Sequence, residues 1–185
     1  MIKQVHETAL PGVRVIHAEV NVDERGGFLD AYEEEVYEAI GIKEKFIKSS
    51  FSWSRRGVLR GLHHQLDKPQ AKMCTVINGD ILDVVADIRF GSPTYGRHIT
   101  QPLSSDGINT IYIPAGYSHG LLALSDDVIF AYLCTAKYSG ISDQRGVRWN
   151  DPDLNIQWGI SDPNLSAKDR ELPFLKDILP ELLPK

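Results

Sequence analysis

The chain contains little cysteine: among its 185 residues the two thiols are Cys74 and Cys134, each inside an apolar run typical of a β-strand. Thiols in such runs are interpreted as buried free cysteines, in preference to a disulfide or to metal ligands. The chain also lacks a signal-peptide pattern, a long hydrophobic run and an internal repeat. We therefore expect a cytoplasmic protein with no membrane partner.

A strong excess of charge is missing as well. The formal net charge is −5, which argues against a broad surface for nucleic acid. Small anionic ligands remain compatible with this balance, because a few local arginines decide their binding. No cofactor motif is visible near these residues.

Short apolar runs rich in β-forming residues dominate the chain. They cover residues 13–18, 46–51, 73–77, 81–88, 110–113 and 128–133. Many short strands with few helices are typical of an antiparallel sandwich or barrel, here within one domain of residues 1–185. Asn78-Gly79 lies between two of these runs and predicts a hairpin turn.

Helical signals are sparse and peripheral. Apolar residues at Tyr32, Val36 and Ile40 have helical spacing, and Gly41 follows as a stop. One or two short helices are expected within residues 166–183, inside a tail that starts near Asp151 and packs against the barrel. In the run 81–88, alternation places Leu82, Val84, Ala86 and Ile88 on one apolar face. The other face mixes aspartates with aliphatic residues and could line a cavity.

His63 has polar and cationic residues near it of the kind that a catalytic histidine works with. Arg60, His64 and Lys72 are close to it in sequence, and His119 follows a Pro-x-Gly turn. Strict alternation places Arg60 and His63 on opposite faces of a strand, so a shared pocket requires a bulge, for which Gly61 is the candidate.

Pro114-x-Gly-x-x-His119 matches the second half-motif of cupin barrels. Metal-binding cupins also carry His-x-His and a following Glu in the first half-motif. Here His63 and His64 are adjacent and point to opposite faces, and the first acid after them is Asp67. We therefore predict no metal site.

Two further features are open to a structural or a chemical interpretation. Tyr132 and Tyr138 share a face if both lie in one strand, either as packing residues or with one hydroxyl acting as a general acid. Asp169 is either an exposed helix residue or a carboxylate that orients a histidine.

Taken together, the chain resembles the dTDP-4-dehydrorhamnose 3,5-epimerase family. The resemblance runs from about Val13 to Pro173. It rests on Asp23-Glu-Arg-Gly26, Gly57-Val-Leu-Arg-Gly-Leu-His63, Pro69-Gln-Ala-Lys72, Gly91-Ser-Pro-Thr-Tyr-Gly96, Ile113-Pro-x-Gly-x-x-His-Gly120, Trp149-Asn-Asp-Pro152 and Leu165-Ser-Ala-Lys-Asp169. These blocks occur in the same order, which makes the match far more specific than any single motif.

The resemblance implies an all-β, cupin-like antiparallel barrel (a jelly roll) with a few short helices, a homodimer, and no metal or cofactor. It implies a nucleotide-diphosphate sugar as substrate, a 4-keto-6-deoxyhexose, with inversion at C3, C5 or both. His63 is then the general base and Asp169 its partner. Tyr132 is the general acid on the opposite face of the sugar, and Lys72 stabilises charge on the C4 oxygen.

The resemblance also assigns residues to substrate recognition. Arg60 and His119 hold the diphosphate, Tyr138 stacks on the base, and Lys168 lines the site. Arg25 lies in a segment that dimers of the family contribute across their interface.

Some recognition positions depart from the family pattern. The family often has Gln-x-Asn at Lys48-Ser-Ser50, Glu at Asp30, and an acid near Tyr138 that is placed here at Asp143. Because these positions contact the nucleotide or the sugar, a CDP- or GDP-linked sugar remains an alternative to the dTDP form.

Three other functions remain open at this point. A 3,4-ketoisomerase acts on the same class of substrate, although the Arg-Gly-Leu-His block and Tyr132 argue against it. A non-catalytic sugar-binding cupin uses the same pocket without turnover. A metal-dependent cupin oxygenase needs ligands that the first half-motif supplies poorly.

Overall fold

Two antiparallel β-sheets face each other and enclose the interior of the protein. The computed structural model describes residues 2–107, 109–140 and 142–185. Strands are numbered in chain order. The six-stranded sheet contains, in spatial order, β1 (Ile2–Glu7), β2 (Arg14–Ala18), β10 (Asn109–Ile113), β7 (Lys72–Asn78), β12 (Val128–Cys134) and β5 (Lys48–Ser54). The five-stranded sheet contains β13 (Gln144–Gly146), β6 (Leu59–Gln65), β11 (Ser118–Ala123), β8 (Asp80–Ala86) and β9 (His98–Ser104). The predicted all-β, cupin-like antiparallel barrel is confirmed.

The remaining elements lie outside the two large sheets. They are the hairpin of β3 (Asn21–Asp23) and β4 (Gly26–Phe28), helix α1 (Glu34–Ala39), helix α2 (Ala167–Arg170) and the short 3₁₀ helices Leu175–Asp177 and Pro180–Leu182.

Each apolar run picked out in the sequence overlaps a strand. Helix α1 ends before Gly41 as expected, but it begins at Glu34, so that Tyr32 packs on Tyr37 from outside the helix at 5.4 Å between ring centroids.

Strand β8 shows how alternation builds the core. Its inner face buries Ile81 and Val85 between the two sheets, with Asp83 beside them at 0% exposure. Its outer face packs Val84 against the C-terminal tail, which contributes Trp158 and other apolar residues to a second core cluster. The predicted packing of the tail on the barrel is confirmed. The mixed face of β8 points between the sheets, but none of its residues lines the cavity described below.

The predicted hairpin at Asn78-Gly79 is wrong. Strand β7 pairs with β10 and β12, whereas β8 pairs with β11 and β9 in the other sheet. Gly79 does adopt a positive φ of 87° and turns the chain sharply. A glycine turn of this kind fixes the local backbone but not the pairing of the strands that follow it, and here it carries the chain from one sheet to the other.

Both cysteines are free and buried, as predicted. No helix in the described part of the chain is long and apolar enough to cross a membrane.

Candidate active site

A cavity of about 360 Å³ lies between the inner faces of the two sheets and brings most of the predicted site residues together. It is large enough for a small organic ligand. The predicted residues at its wall are Lys48, Ser50, Arg60, His63, Lys72, His119, Tyr132, Tyr138, Lys168 and Asp169. Residues that the sequence analysis did not single out for the site also line it, namely Ser52, Gln70, Cys134, Gln144 and Ser166.

Gly61 resolves the conflict between Arg60 and His63. On β11, His119 is opposite His63 and Leu121 is opposite Arg60, so β6 contains one extra residue at this point. Gly61 has a φ of 118°, and a Cβ atom there would lie 2.6 Å from the Cα of Gly120. The predicted bulge is therefore confirmed, and it lets both side chains reach one cavity.

His64 points away from the cavity, as its adjacency to His63 predicts. Its ring is buried, with Nδ1 3.4 Å from the hydroxyl of Ser118. Burial, and then the positive charge of Lys72, lower the pKa of His64 to about 3. The ring is therefore neutral at physiological pH. Within the described residues no group of three or more His, Cys, Asp or Glu is arranged to hold a metal ion.

His63 forms a hydrogen-bonded pair with Asp169. Its Nε2 lies 2.5 Å from Oδ1 of Asp169, and the two side chains are 22% and 5% exposed. Ser166 caps helix α2 by accepting a hydrogen bond from the Asp169 backbone, which fixes the carboxylate below the imidazole. Burial raises the pKa of Asp169, but hydrogen bonds from His63 and Ser166 outweigh it and lower the pKa from its usual 3.8.

A second histidine–carboxylate pair lies deeper. Nε2 of His119 is 2.8 Å from Oδ2 of Asp83, and these side chains are only 4% and 0% exposed. The other oxygen of Asp83 has no hydrogen-bond partner among the described residues. His119 borders the cavity, whereas Asp83 lies behind it.

Tyr132 approaches the cavity from the wall opposite His63. It is on β12 in the six-stranded sheet, whereas His63 is on β6 in the five-stranded sheet. Its hydroxyl lies 3.2 Å from that of Ser52. Burial raises the pKa of Tyr132 above its usual 10, so the phenol holds its proton at neutral pH. Tyr138 lies in the loop after β12 and not in the strand, but it reaches the same cavity.

The cations around the cavity differ in their protein partners. Arg60 donates from Nε to Ser54 and from Nη2 to the carbonyl of Trp53. Nζ of Lys168 lies 2.5 Å from Oε1 of Gln144. Burial lowers the pKa of the Lys72 ammonium from its usual 10.5. The cavity therefore offers several positive groups to an anionic ligand.

The structure does not bring three predicted recognition residues to this cavity. Arg25 is exposed on the β3–β4 hairpin and pairs with Asp23 at 2.5 Å. Asp30 is exposed and lines a separate small cleft beside α1.

For Asp143 the structure gives a different role from the predicted one. Its buried carboxylate accepts backbone hydrogen bonds from Leu66 and Asp67 and a bond from the Ser139 hydroxyl. These bonds join two loops beside the cavity and leave the carboxylate outside its wall.

Some of the missed residues had a signal in the sequence. Ser52 continues the alternation of Lys48 and Ser50 on β5, and Asp83 lies on the mixed face of β8. Gln144 had none, because it reaches the cavity only through the pairing of the short strand β13 with β6.

Comparisons with known proteins identify the family of this chain. The family model described as dTDP-4-dehydrorhamnose 3,5-epimerase matches residues 7–177. The chain belongs to this family. An enzyme of that name from Methanothermobacter thermautotrophicus is 41% identical over 174 residues, covering 92% of this chain and 94% of the relative.

Two further family members mark the range of related activities. A dTDP-4-dehydrorhamnose 3-epimerase from Streptomyces niveus is 37% identical, with 91% of this chain and 82% of the relative covered. A dTDP-6-deoxy-D-glucose-3,5-epimerase from Legionella pneumophila, solved with dTDP-4-keto-L-rhamnose, superposes with a TM-score of 0.94. It is 36% identical, with 98% of this chain and 97% of that chain covered.

Proposed function

We propose that this protein is an epimerase that inverts C3, C5 or both in a nucleotide-linked 4-keto-6-deoxyhexose, as a step in deoxysugar biosynthesis. The observation that carries the proposal is the His63–Asp169 pair at the wall of a cavity whose opposite wall holds a protonated Tyr132. A base and an acid on opposite walls are what inversion at a carbon requires.

The first step is removal of a proton from carbon. A ketone at C4 acidifies the hydrogens on C3 and C5. Nε2 of His63 is engaged by Asp169, so Nδ1 is the nitrogen that takes the proton. The Asp169 carboxylate orients the ring and stabilises the imidazolium that forms.

The electrons released from the C–H bond move to the C4 oxygen and form an enolate. The ammonium group of Lys72 stabilises this oxyanion more than it stabilises the neutral ketone, which is the condition for catalysis. The Tyr132 phenol then donates a proton to the same carbon from the opposite face, and the electrons return to reform the C4 ketone. No electrons are gained or lost overall, so the step needs no redox cofactor.

The other cavity residues are assigned to binding. Arg60 and His119 hold the diphosphate, Tyr138 stacks on the base, and Lys168 lines the site between them. Lys48 and Ser50 line the same wall as Tyr132. They are assigned to the sugar or the nucleotide.

One experiment tests the proposal. The protein is incubated in deuterated water with TDP-4-keto-6-deoxyglucose, and the C3 and C5 hydrogens are followed by NMR. Exchange at both carbons identifies a 3,5-epimerase, and exchange at C3 alone identifies the one-centre activity named for the Streptomyces niveus relative. The CDP- and GDP-linked sugars are run in parallel, and no exchange with any of the three contradicts the proposal.

We also propose a homodimer. The β3–β4 hairpin exposes Val22 at 75% and Phe28 at 65%, and strand β5, at the edge of its sheet, exposes Phe51 and Trp53. Exposed apolar groups on an edge strand are typical of an interface. A second copy that covers them can receive Arg25 from the hairpin into its own cavity. Sedimentation of a stable monomer at micromolar concentration would contradict this arrangement.

A cytoplasmic location completes the proposal. Two buried free thiols fit a reducing compartment. Fractionation of cells that produce the untagged protein checks it.

A further inference from the structure

Two lysines flank one cysteine in a single row across the six-stranded sheet. In the β-ladder, Cys134 of β12 is opposite Lys48 of β5 on one side and opposite Lys72 of β7 on the other. Residues directly opposite each other in neighbouring strands point to the same face. All three line the cavity, so the two ammonium groups rise on either side of the thiol.

The spacing of the strands lets both lysines reach one atom. Neighbouring strands are about 4.8 Å apart, which puts the Cα atoms of Lys48 and Lys72 about 10 Å from each other. Their long flexible side chains can therefore meet above the short side chain of Cys134. Tyr132 lies in the next row along, where it is opposite Ser50 and Cys74.

These two ammonium groups also lack protein partners. Arg60 and Lys168 are held by hydrogen bonds, whereas within the described residues neither Lys48 nor Lys72 forms a hydrogen bond or an ion pair. The nearby carboxylates are engaged elsewhere, Asp169 with His63 and Asp83 with His119. Two unpaired cations on one wall call for an anionic group from the ligand.

We propose that Lys48 and Lys72 together bind a single anionic oxygen of the ligand, and that Lys48 is a second oxyanion-stabilising residue. The inference rests on the proposed function, in which that oxygen is the C4 oxygen of the enolate. Lys48 is thereby assigned to the sugar end of the ligand and to the reacting group, and not to the diphosphate.

The charges around Lys72 give this arrangement a pH signature. Burial is the main factor that lowers the pKa of Lys72, and Lys48 lowers it further, while Cys74, Cys134 and Asp83 raise it. Removing the charge at position 48 therefore raises the pKa of Lys72. The loss of activity at alkaline pH, where Lys72 gives up its proton, moves to higher pH.

The test compares Lys48→Met with Lys48→Arg and with Lys45→Met, a matched change at an exposed lysine outside the cavity. Deuterium exchange into TDP-4-keto-6-deoxyglucose at saturating concentration is measured from pH 7 to 10, and TDP binding is measured by calorimetry. Thermal unfolding confirms that each variant is folded.

For Lys48→Met we expect exchange to fall by about 10- to 100-fold, the usual effect of losing one charged hydrogen bond. The alkaline limb is expected to move upward, and the Kd for TDP to stay within about twofold of wild type, a change of under 0.5 kcal/mol. Lys48→Arg should recover part of the rate, and Lys45→Met should behave as wild type.

Two results would overturn the inference while leaving the proposed function intact. In one, Lys48→Met exchanges within about twofold of wild type, a difference too small for a lost charged contact. In the other, its affinity for TDP falls by the same factor as its exchange rate, which places Lys48 on the diphosphate. A wild-type protein that exchanges no hydrogen with the TDP-, CDP- or GDP-linked sugar would instead refute the proposed function, and this inference with it.

Discussion

The two histidine–carboxylate pairs of this protein have the same parts and different surroundings. His63 and His119 are opposite each other on neighbouring strands, and each gives Nε2 to an aspartate, at 2.5 Å and 2.8 Å respectively. The side chain of His63 is 22% exposed, whereas that of His119 is 4% exposed. Only a base that reaches both substrate and solvent can take up and release a proton in each turnover. The comparison therefore assigns proton transfer to His63 and ligand positioning to His119.

The largest expected effect is the loss of this base. In His63→Asn the rate of product formation should fall by about 10²- to 10⁴-fold, which is the usual contribution of a general base. Chromatographic separation of the epimers measures it. Affinity for TDP should be unchanged, and a variant that lost affinity and rate together would undermine the division of labour between the two pairs.

A smaller effect is expected when the base keeps its ring but loses its orienting group. Asp169→Asn should lower kcat by at least about 10-fold and at most by about the 10⁴-fold known for the aspartate behind a catalytic histidine, since the ring stays in place but loses its orienting carboxylate. The KM for the nucleotide sugar should change little, since Asp169 contacts His63 and the α2 cap. Steady-state kinetics check both parameters, and a rise in KM without a fall in kcat would reassign Asp169 to binding.

Substitution in the His119–Asp83 pair should weaken ligand binding and leave the rate of proton removal unchanged. His119→Asn removes a ring assigned to the diphosphate, so the Kd for TDP should rise by about 10-fold, the effect of one hydrogen bond to a charged group. Exchange at saturating substrate should remain near the wild-type rate. Calorimetry with TDP measures the affinity, and an unchanged Kd would place the diphosphate elsewhere.

The smallest effect is on stability at acid pH. Asp169 has a lowered pKa in the folded protein, so its contribution is complete above the usual value of 3.8 and is lost as the pH falls through the folded value. The unfolding free energy of Asp169→Asn should therefore fall less than that of wild type as the pH drops below 4. The difference between the two proteins is expected to be about 1 kcal/mol or less. Urea unfolding at pH 3 and pH 6 measures this difference, and identical slopes for the two proteins would contradict it.

Much of this comparison was accessible from the sequence, because strand alternation is a strong constraint. Alternation alone predicted that the side chains of His63 and His64 point to opposite faces of their strand. It also showed that Arg60 and His63 could share a cavity only through a bulge at Gly61, which the register of β6 and β11 confirms. The mixed face of the strand containing Asp83 was visible for the same reason.

What could not be predicted depends on how distant segments meet. The pairing of Asp83 with His119 requires β8 and β11 to be neighbours, which neither segment encodes locally. The turn at Asn78-Gly79 has the positive φ at glycine that a hairpin turn uses, but here it links two different sheets. Asp143 is polar and near Tyr138 in sequence, but hydrogen bonds from another loop occupy its carboxylate.

The most direct test of the account is deuterium washout from substrate labelled at C3 and C5. His63→Asn and His119→Asn are compared in ordinary water, each saturated with the labelled sugar. We predict that His119→Asn releases deuterium at a rate close to wild type, and that His63→Asn releases essentially none. Washout by His63→Asn at the wild-type rate would show that another group removes the proton, and would contradict the assignment of the base.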